Sequence, residues 1–318
     1  MPRLSTGQSS TQPETVDEAE ATPTRCGHVA LIGAPNAGKS TLLNRLVGRK
    51  LSIVTPKPQT TRTRLLGIAT EGPTQIIYVD TPGIFAPRRR LDRAMVAAAW
   101  LGAEDADRTV LLVDAARGVD RDTRRILDRL AEHGRESILA LNKIDLVRRG
   151  ALLGLVDMLS QGGRFDPVFM ISGCTGDGVD DFKRYLVGAL PQGPWLFPGD
   201  QLSDMPERVI AAEITREQVF LQLHDELPYG STVETEQWED KNDGSARIEQ
   251  VIFVQRPSQR AIVLGEGGRR IKGIGARARA ELERILERRV HLFLFVKVRE
   301  NWIDDRERYT AFGLDYDA

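Results

Sequence analysis

Short apolar runs recur through the first half of the chain, each bounded by polar residues or glycine. Such runs, with no polar face, are typical of strands that are buried on both sides of a sheet. Helix-like stretches alternate with them, so we predict an α/β fold with a mainly parallel sheet between helices. The predicted strands are His28–Ile32, Leu65–Ala69, Gln75–Val79, Thr109–Asp114, Ser137–Leu141 and Pro167–Ile171, and the predicted helices are Thr41–Val47, Arg121–His133 and Val179–Leu190.

The pattern changes after a stretch rich in proline and glycine, which we interpret as a stiff linker. The second half predicts the order helix, strand, strand, helix, helix, strand, which indicates a smaller α+β domain. In chain order these elements are Pro206 to about Glu226, Thr232–Trp238, Ala246–Gln255, Gln259–Leu264 capped by Ser258, Arg269 to about Arg288, and Val290–Arg299.

Length and composition agree with two domains. The chain has 318 residues, of which 41% are hydrophobic and 28% charged, as in ordinary globular proteins. We predict a disordered tail at 1–26, a first domain at 27–190, a linker at 191–205 and a second domain at 206–318. The two cysteines lack metal-ligand spacing, and no apolar run is long enough to span a membrane. The acidic, Ser/Thr/Pro-rich start does not resemble a signal peptide, so we expect a cytoplasmic address.

The first candidate site lies between the first predicted strand and helix. Its sequence fits Gly, any four residues, then Gly-Lys-Ser/Thr, and the strand–loop–helix context is the one that a phosphate-binding loop requires. Backbone N–H groups and the positive end of the helix dipole would face phosphate. Lys39 would reach the outer phosphates and the Ser40 hydroxyl would bind Mg²⁺. The predicted binding residues here are Gly33, Ala34, Pro35, Asn36, Ala37, Gly38, Lys39, Ser40 and Thr41.

Two further segments complete a magnesium site in this interpretation. Thr60 and Thr61 lie in a loop without periodicity, and a threonine from such a loop can cap Mg²⁺ while a γ-phosphate is present. The sequence leaves open which of the two does so. Asp80 ends a buried strand and could hold Mg²⁺, while the backbone N–H of Gly83 could approach the γ-phosphate. We therefore include Asp80, Thr81, Pro82, Gly83 and Ile84 among the nucleotide-binding residues.

The next strand ends in Asn142-Lys143-Ile144-Asp145, which indicates the base. The Asp145 carboxylate offers two acceptors, and guanine presents two donors on one edge where adenine has no such pair. Asn142 would contact the opposite edge and the Lys143 stem would cover the base. Ser172 and Gly173, after the last strand, would back the guanine. GTP and GDP are thus the expected ligands.

Taken in order, these motifs resemble the translation-factor-like class of small GTPases over residues 27–190. Gln59-Thr60-Thr61-Arg62 and Pro35-Asn36-Ala37 narrow the resemblance toward the Era GTPases. Ile84 stands where Ras-like enzymes place the glutamine that orients water, and isoleucine has no donor or acceptor. In related GTPases the residue at Asn36 helps to hold a potassium ion, so the resemblance suggests K⁺ beside Mg²⁺ as a hypothesis, the alternative being that Asn36 only shapes the loop. In either case we expect slow intrinsic hydrolysis. The predicted catalytic residues are Asn36, Lys39, Thr61 and Gly83, and the predicted metal ligands are Ser40, Thr60, Thr61 and Asp80.

The second half contains Gly-x-x-Gly between its paired helices, in the order of a type II KH domain. Residues 256–299 carry 12 Lys and Arg and 4 Glu, whereas residues 200–250 carry 4 Lys and Arg and 13 Asp and Glu. The positive charge therefore surrounds the glycine loop, as an RNA-binding surface requires. Glu266 departs from this pattern, and we expect Glu266→Lys to tighten RNA binding. The predicted RNA-binding residues are Gly265, Glu266, Gly267, Gly268, Arg269, Arg270, Lys272 and Arg277.

With both halves, the chain resembles the Era family from about residue 27 to its end. The resemblance implies binding to the 3′ region of 16S ribosomal RNA, a part in small ribosomal subunit assembly, and peripheral contact with the inner membrane. We expect a monomer.

Two other interpretations remain open at this point. In one, the nucleotide domain has lost turnover and acts as a GTP-dependent clamp, which Ile84 would allow. In the other, a signalling GTPase carries a nonspecific nucleic-acid domain.

Overall fold

The computed structural model describes residues 23–57, 60–62, 64–134, 136–224, 227–300, 302 and 305–318. Two sheets divide these residues into the predicted α/β and α+β halves. The strands are β1 (Arg25–Gly33), β2 (Leu65–Glu71), β3 (Thr74–Asp80), β4 (Arg108–Asp114), β5 (Ser137–Asn142), β6 (Phe165–Met170), β7 (Ser231–Asp240), β8 (Ala246–Val254) and β9 (Val290–Val298).

The helices alternate with the strands in the first half and cluster in the second. They are α1 (Lys39–Val47), α2 (Arg90–Glu104), α3 (Arg121–Glu132), α4 (Arg149–Ser160), α5 (Val179–Ala189), α6 (Glu207–Gln222), α7 (Pro257–Leu264), α8 (Arg269–Leu286) and α9 (Arg306–Ala311). No helix within the described ranges is long and apolar enough to cross a membrane.

The larger sheet has the order β2-β3-β1-β4-β5-β6, in which β2 is antiparallel and the other strands are parallel. Its two faces are both buried. Val29 and Leu31 point toward α1 and α5, whereas Ala30 and Ile32 point toward α2, α3 and α4. This double burial explains why the strands read as continuous apolar runs. The carboxyl ends of β1, β3, β4 and β5 meet at one edge of the sheet, which is where the candidate site lies.

The smaller sheet has the order β7-β8-β9, with β7 antiparallel and β9 parallel to β8. Helices α6, α7 and α8 bury their apolar sides against one of its faces. On α8 the buried residues are Ile274, Ala278, Leu282 and Ile285, spaced as one helical face requires. The predicted order of elements in this half is therefore confirmed.

The linker runs along the edge strand β2 of the larger sheet. Trp195 Nε1 donates to the Pro73 carbonyl at 3.1 Å, and the Gln75 side chain accepts from the backbone N–H groups of Leu196 and Phe197 at 3.0 Å. The Ile68 N–H donates to the Leu202 carbonyl at 2.8 Å. These bonds fix the linker to the first domain, so the start of α6 is held at a defined position relative to the larger sheet.

Several predicted bounds need correction. Arg25 and Cys26 belong to β1 and not to the tail, because β1 pairs with β3 from Arg25 onward; residues 1–22 lie outside the described residues. Helix α7 starts at Pro257, since proline suits the first helical position, and Ser258 does not cap it. The cap contact comes from Gln259, whose side chain accepts from the Arg256 N–H at 3.1 Å.

Other bounds differ in extent. Helix α6 ends at Gln222, short of the predicted end at Glu226, which lies outside the described residues. Helices α2, α4 and α9 were not predicted. Helix α4 contains Gly150 and Gly154, and α2 is rich in alanine, so the apolar periodicity of both is weak.

Candidate nucleotide site and nucleic-acid interface

The phosphate loop connects β1 to α1 through a tight glycine turn. Gly38 has φ +98°, and a Cβ atom there would lie 2.2 Å from Asn142 Nδ2. Only glycine fits this backbone and this space. Helix α1 starts at Lys39, directly after the turn, and ends at Val47, which is followed by Gly48 in the left-handed conformation. The loop thus presents the amino end of α1 to the cavity beside it, as an anion site requires.

Lys39 is held inside this loop. Its Nζ donates to the carbonyls of Gly33 at 3.1 Å and Ala34 at 3.2 Å, and the side chain is buried. Burial lowers the pKa of Lys39 to about 8, and the nearby Asp80 carboxylate opposes that shift. The ammonium group is therefore charged at neutral pH and poorly solvated, and a phosphate group would add to the counter-charge that Asp80 supplies.

The predicted metal ligands meet at one corner of the cavity. The Ser40 hydroxyl donates to Asp80 Oδ2 at 2.8 Å and lies 3.0 Å from Thr61 Oγ1. A third hydroxyl, of Ser52, also donates to Asp80 Oδ2 at 2.8 Å and was not predicted. For Thr60 the structure gives a contact through its carbonyl, which accepts from Arg216. The geometry thus favours Thr61 over Thr60 at this corner.

This corner fits a magnesium ion. Asp80 is fully buried, and its Oδ1 atom has no hydrogen-bond partner among the residues that the structure describes. Burial raises the pKa of Asp80, with Lys39 and the two serine hydroxyls acting against that shift. A buried carboxylate oxygen beside two hydroxyls is an all-oxygen donor set, which hard cations such as Mg²⁺ prefer.

The segment after Asp80 is packed against the phosphate loop. A Cβ atom at Gly83 would lie 2.9 Å from the Cα atom of Pro35, so glycine permits the close approach. Thr81 Oγ1 donates to the Leu31 carbonyl at 2.8 Å. The Ile84 N–H donates to the Gly33 carbonyl at 3.1 Å, and the Ile84 side chain is buried in the apolar core. Ile84 therefore contributes backbone and packing to this site, and its side chain cannot orient water.

The guanine motif is joined to the phosphate loop by direct hydrogen bonds. Asn142 Nδ2 donates to the Ala37 carbonyl at 2.8 Å, and its Oδ1 accepts from the Gly173 N–H at 2.9 Å. Lys143, which has φ +64°, donates through Nζ to the Asn36 carbonyl at 2.7 Å. Asp145 lies on the exposed turn Ile144–Leu146, where its carboxylate can meet a base.

Three more residues lie beside the guanine motif, and one of them, Asp114, was not predicted as a site residue. Asp114 ends β4, and its Oδ2 accepts from Lys143 Nζ at 2.6 Å. Sequence analysis missed this role, although a carboxylate at the carboxyl end of the neighbouring parallel strand was a usable signal. Gly173 lies so near α1 that a Cβ atom would be 3.3 Å from the Leu42 nitrogen. Ser172 is buried, and its Oγ accepts from the Thr175 N–H at 3.0 Å.

Asn36 joins the phosphate loop to the loop that carries the threonines. Its φ is +66°, a conformation that asparagine adopts more readily than most residues. Its Nδ2 donates to the Pro56 carbonyl at 2.9 Å. The cavity enclosed between these loops and Lys143 has a volume of about 400 Å³, within the range of small-molecule sites.

The Gly-x-x-Gly loop lies between α7 and α8 and is open to solvent. Gly265, Gly267 and Gly268 have φ values of +68°, +58° and +74°, and α8 starts at Arg269. Arg270 Nη1 donates to the Ile262 carbonyl at 3.2 Å, while Lys272 and Arg277 lie on the exposed side of α8. The structure therefore brings the predicted RNA-binding residues onto one loop and one helix face.

Glu266 forms an ion pair with Arg269, and both side chains are largely exposed. The pair offsets part of the positive charge of the loop. Because the two side chains are solvated, the pair itself contributes little to stability.

Family models match both halves of the chain, and curated relatives match nearly its whole length. Residues 28–143 match the model described as 50S ribosome-binding GTPase, and residues 226–303 match the KH domain model. The chain is 59% identical over 298 residues to GTPase Era of Rhizobium meliloti (strain 1021), covering 94% of this chain and 95% of that protein. It is 56% identical over 299 residues to GTPase Era of Brucella suis biovar 1 (strain 1330), covering 94% and 96%.

Two solved structures cover most of the chain at 36% identity. One is a crystal structure of an Era variant from Aquifex aeolicus bound to GDP and AlF₄⁻, with a TM-score of 0.85 over 91% of this chain and 99% of that one. The other is Era in complex with MgGDPNP and nucleotides 1506–1542 of 16S ribosomal RNA, with a TM-score of 0.86 and the same coverage.

The fold and the site define a GTPase with a C-terminal KH domain. More narrowly, the chain belongs to the Era GTPase family. Since that family hydrolyses GTP, a clamp without turnover is no longer supported.

Proposed function

We propose that this protein is a slow GTP-hydrolysing switch that binds the 3′ region of 16S ribosomal RNA and acts in small ribosomal subunit assembly. The observation that carries the proposal is the position of residues 51–57 and 60–62, which we call the switch loop. On one side Thr61 contacts Ser40 at the metal corner, and on the other Val54 and Arg62 contact the KH domain. A change at the nucleotide can therefore reach the RNA-binding half.

The residues of the site suggest distinct roles in hydrolysis. Mg²⁺, when bound, would neutralise charge on the β- and γ-phosphates. Ser40, Asp80 and Thr61 would hold it. Lys39 and the backbone N–H of Gly83 would face the phosphate oxygens, and Asp145 would select guanine. With Ile84 buried in the core, the attacking water must be positioned by other groups, so we expect single-turnover hydrolysis slower than about 10⁻² s⁻¹.

We further propose that K⁺ accelerates hydrolysis through Asn36. The bond from Asn36 to Pro56 holds the asparagine against the switch loop, next to the phosphate loop, and its Oδ1 atom is the one that a cation would use. The test compares single-turnover rates in matched K⁺ and Na⁺ buffers, for the wild type and Asn36→Ala. We expect a rate increase in K⁺ that the variant loses; equal wild-type rates in the two salts would remove K⁺ from the proposal.

RNA specificity is tested by titrating two RNAs against the GDP-bound and GTP-analogue-bound protein. One RNA is an oligonucleotide from the 3′ end of 16S ribosomal RNA, and the other has the same composition in scrambled order. We expect the native sequence to bind at least about tenfold tighter, a discrimination of the size that base contacts supply. Equal affinities would favour the signalling GTPase with a nonspecific nucleic-acid domain.

We also propose that the protein acts as a monomer in the cytoplasm on small-subunit precursors, with peripheral membrane contact. Light scattering of the purified protein tests the monomer. Sucrose-gradient fractionation of cell extracts tests the rest, because association with small-subunit particles or with membranes places the protein in separate fractions.

A further inference from the structure

Arg62 is the last residue of the switch loop, and its side chain is buried against the KH domain. Its side chain is 4% exposed. Nη1 donates to the Ser231 carbonyl at 2.9 Å, and Nη2 donates to the Tyr229 carbonyl at 2.9 Å. Both acceptors are backbone atoms, at the start of β7 and just before it. The planar fork of a guanidinium group matches such paired carbonyls, and the single ammonium of lysine does not.

Two aromatic rings of the KH domain complete this environment. The Arg62 guanidinium lies 5.9 Å from the ring centre of Phe220 and 5.6 Å from that of Trp302. Ring faces attract a cation, most strongly where water is excluded. Burial lowers the pKa of Arg62 to about 9, which still leaves the group charged at neutral pH. A buried cation without these partners would be costly, so the contact is specific to this docked arrangement of the two domains.

Neighbouring residues of the switch loop are held in the same way. Arg216 of α6 donates to the Thr60 carbonyl, and Lys57 donates to the carbonyls of Phe220 and Leu223 at the end of α6. The Val54 N–H donates to Glu217 Oε1 at 2.9 Å. The KH domain thus binds the backbone on one side of Thr61 and the side chain of Arg62 on the other.

Thr61 and Arg62 are adjacent, so their Cα atoms are separated by one peptide unit, about 3.8 Å. The Thr61 side chain points to Ser40, and the Arg62 side chain points into the KH domain. We propose that Arg62 is a positioning residue: the docked KH domain holds Thr61 at the metal corner through Arg62. The KH domain is then part of the GTP site, and its docking favours GTP over GDP.

The preference for GTP follows from the role of the threonine. A switch threonine contacts Mg²⁺ only while the γ-phosphate is present, so an error in its position weakens GTP binding and leaves GDP binding unchanged. The coupling is reciprocal, because any free energy that links domain docking to GTP also links GTP to docking. This inference rests on the proposed function, specifically on the assignment of Thr61 as the magnesium cap.

The test measures the affinities of a non-hydrolysable GTP analogue and of GDP, in Mg²⁺, for the full-length wild type and for variants. For Arg62→Ala we expect the ratio of analogue affinity to GDP affinity to fall about 5- to 50-fold, with GDP affinity within about twofold of wild type. Arg62→Lys keeps the charge but not the fork, and we expect a smaller fall. Arg64→Ala is the matched control, because Arg64 is an exposed arginine two residues further along.

Thr61→Ala separates this inference from the proposed function. If Thr61→Ala lowers the ratio and Arg62→Ala does not, the positioning role is wrong and the metal assignment stands. If neither Thr61→Ala nor Arg62→Ala changes the ratio, the positioning role and the metal assignment are both wrong. A melting temperature for each variant shows folding, and Arg62→Lys serves where Arg62→Ala does not fold. Equal losses for the analogue and GDP would also overturn the inference, since a general structural role produces them.

Discussion

The two halves of this protein each place a glycine loop before a helix to meet phosphate, and the two loops are built in opposite ways. At the phosphate loop a Cβ atom on Gly38 would meet Asn142 at 2.2 Å, and the charged Lys39 is buried. At the Gly-x-x-Gly loop, Gly267 and Gly268 have no atom within 4 Å of such a Cβ position. The cationic Arg269 beside them is largely exposed.

This difference corresponds to two kinds of ligand. A nucleotide is small and always the same, so a fixed frame that needs no rearrangement stabilises it and its reacting phosphate best. A single-stranded RNA is long and flexible, so an open loop with exposed arginines can adapt to its backbone. If the comparison is correct, one added methyl group should harm the closed loop far more than the open one.

The largest expected effect is that of Gly38→Ala. The new Cβ atom would push Asn142 away from the Ala37 carbonyl, which it now reaches at 2.8 Å, and alanine disfavours φ +98°. We expect GTP and GDP to bind at least about 100-fold more weakly, equivalent to about 2.7 kcal/mol. Titration with a fluorescent guanine nucleotide measures this loss.

Gly48→Ala is the matched control for Gly38→Ala. Gly48 ends the same helix with φ +76°, and no atom lies within 4 Å of the Cβ position there. The Gly48→Ala substitution should cost about 1 kcal/mol of stability and leave nucleotide affinity unchanged. Equal losses of affinity for the two variants would show that backbone strain, and not the closed space around Gly38, controls binding.

A smaller effect is expected for Gly265→Ala, at the crowded end of the open loop. Gly265 has φ +68° and ψ +172°, a region open only to glycine, and a Cβ atom would lie 2.8 Å from the Cβ of Arg270. We expect RNA affinity to fall about tenfold, measured by fluorescence anisotropy with the 16S 3′-end oligonucleotide. Nucleotide affinity should not change.

Gly244→Ala provides the comparison for Gly265→Ala, because Gly244 lies in the β7–β8 turn with φ +79° and open space around it. If the two variants lower RNA affinity alike, the loss reflects stability of the KH domain and not the shape of the Gly-x-x-Gly loop.

Glu266→Lys should change RNA affinity in the other direction. The substitution removes the carboxylate that now pairs with Arg269 and adds a cation on an exposed loop. We expect binding to tighten about three- to tenfold near 0.1 M salt, with a salt dependence that is steeper by about one ion. Glu266→Gln, which only removes the charge, should give a smaller gain. Unchanged affinity in both variants would mean that the side chain faces away from bound RNA.

Sequence reasoning selected side chains that the structure brings together at the candidate nucleotide site, because each part of that site is a contiguous motif at the end of a strand. Parallel strands bring such ends to one edge, so the motifs alone were enough to place Ser40, Asp80 and Asn142 together. Ser52, Asp114 and Arg62 were missed as site residues. Their partners are distant in the chain, and for Arg62 they are backbone carbonyls near residue 230, which no side-chain pattern reveals.

Local sequence signals were sufficient to predict some helices and not others. Helix α3 was predicted at Arg121–His133 and lies at Arg121–Glu132, where the Asp120 side chain caps its first turn. Helix α9 belongs to a small cluster in which Tyr309 and Leu314 pack against Leu91 and Met95 of α2. That contact between the two halves of the chain depends on the domain arrangement, which local periodicity does not encode.

The smallest expected effect is that of Gly173→Ala, which tests how tightly the nucleotide site is packed between α1 and Asn142. At Gly173 a Cβ atom would lie 3.3 Å from the Leu42 nitrogen and 3.5 Å from Asn142 Oδ1, which is tight but not a collision. Gly173→Ala also restricts the unfolded chain, which stabilises the fold by about 0.4–1 kcal/mol where the backbone allows it. We expect the two effects to offset one another, with GDP affinity within about threefold of wild type and stability within about 1 kcal/mol. Nucleotide titration and chemical denaturation measure the two quantities. A tenfold loss of GDP affinity would mean that α1 cannot shift by even a few tenths of an ångström. The rigid packing of the phosphate loop would then extend through Asn142 to the residues around the guanine base.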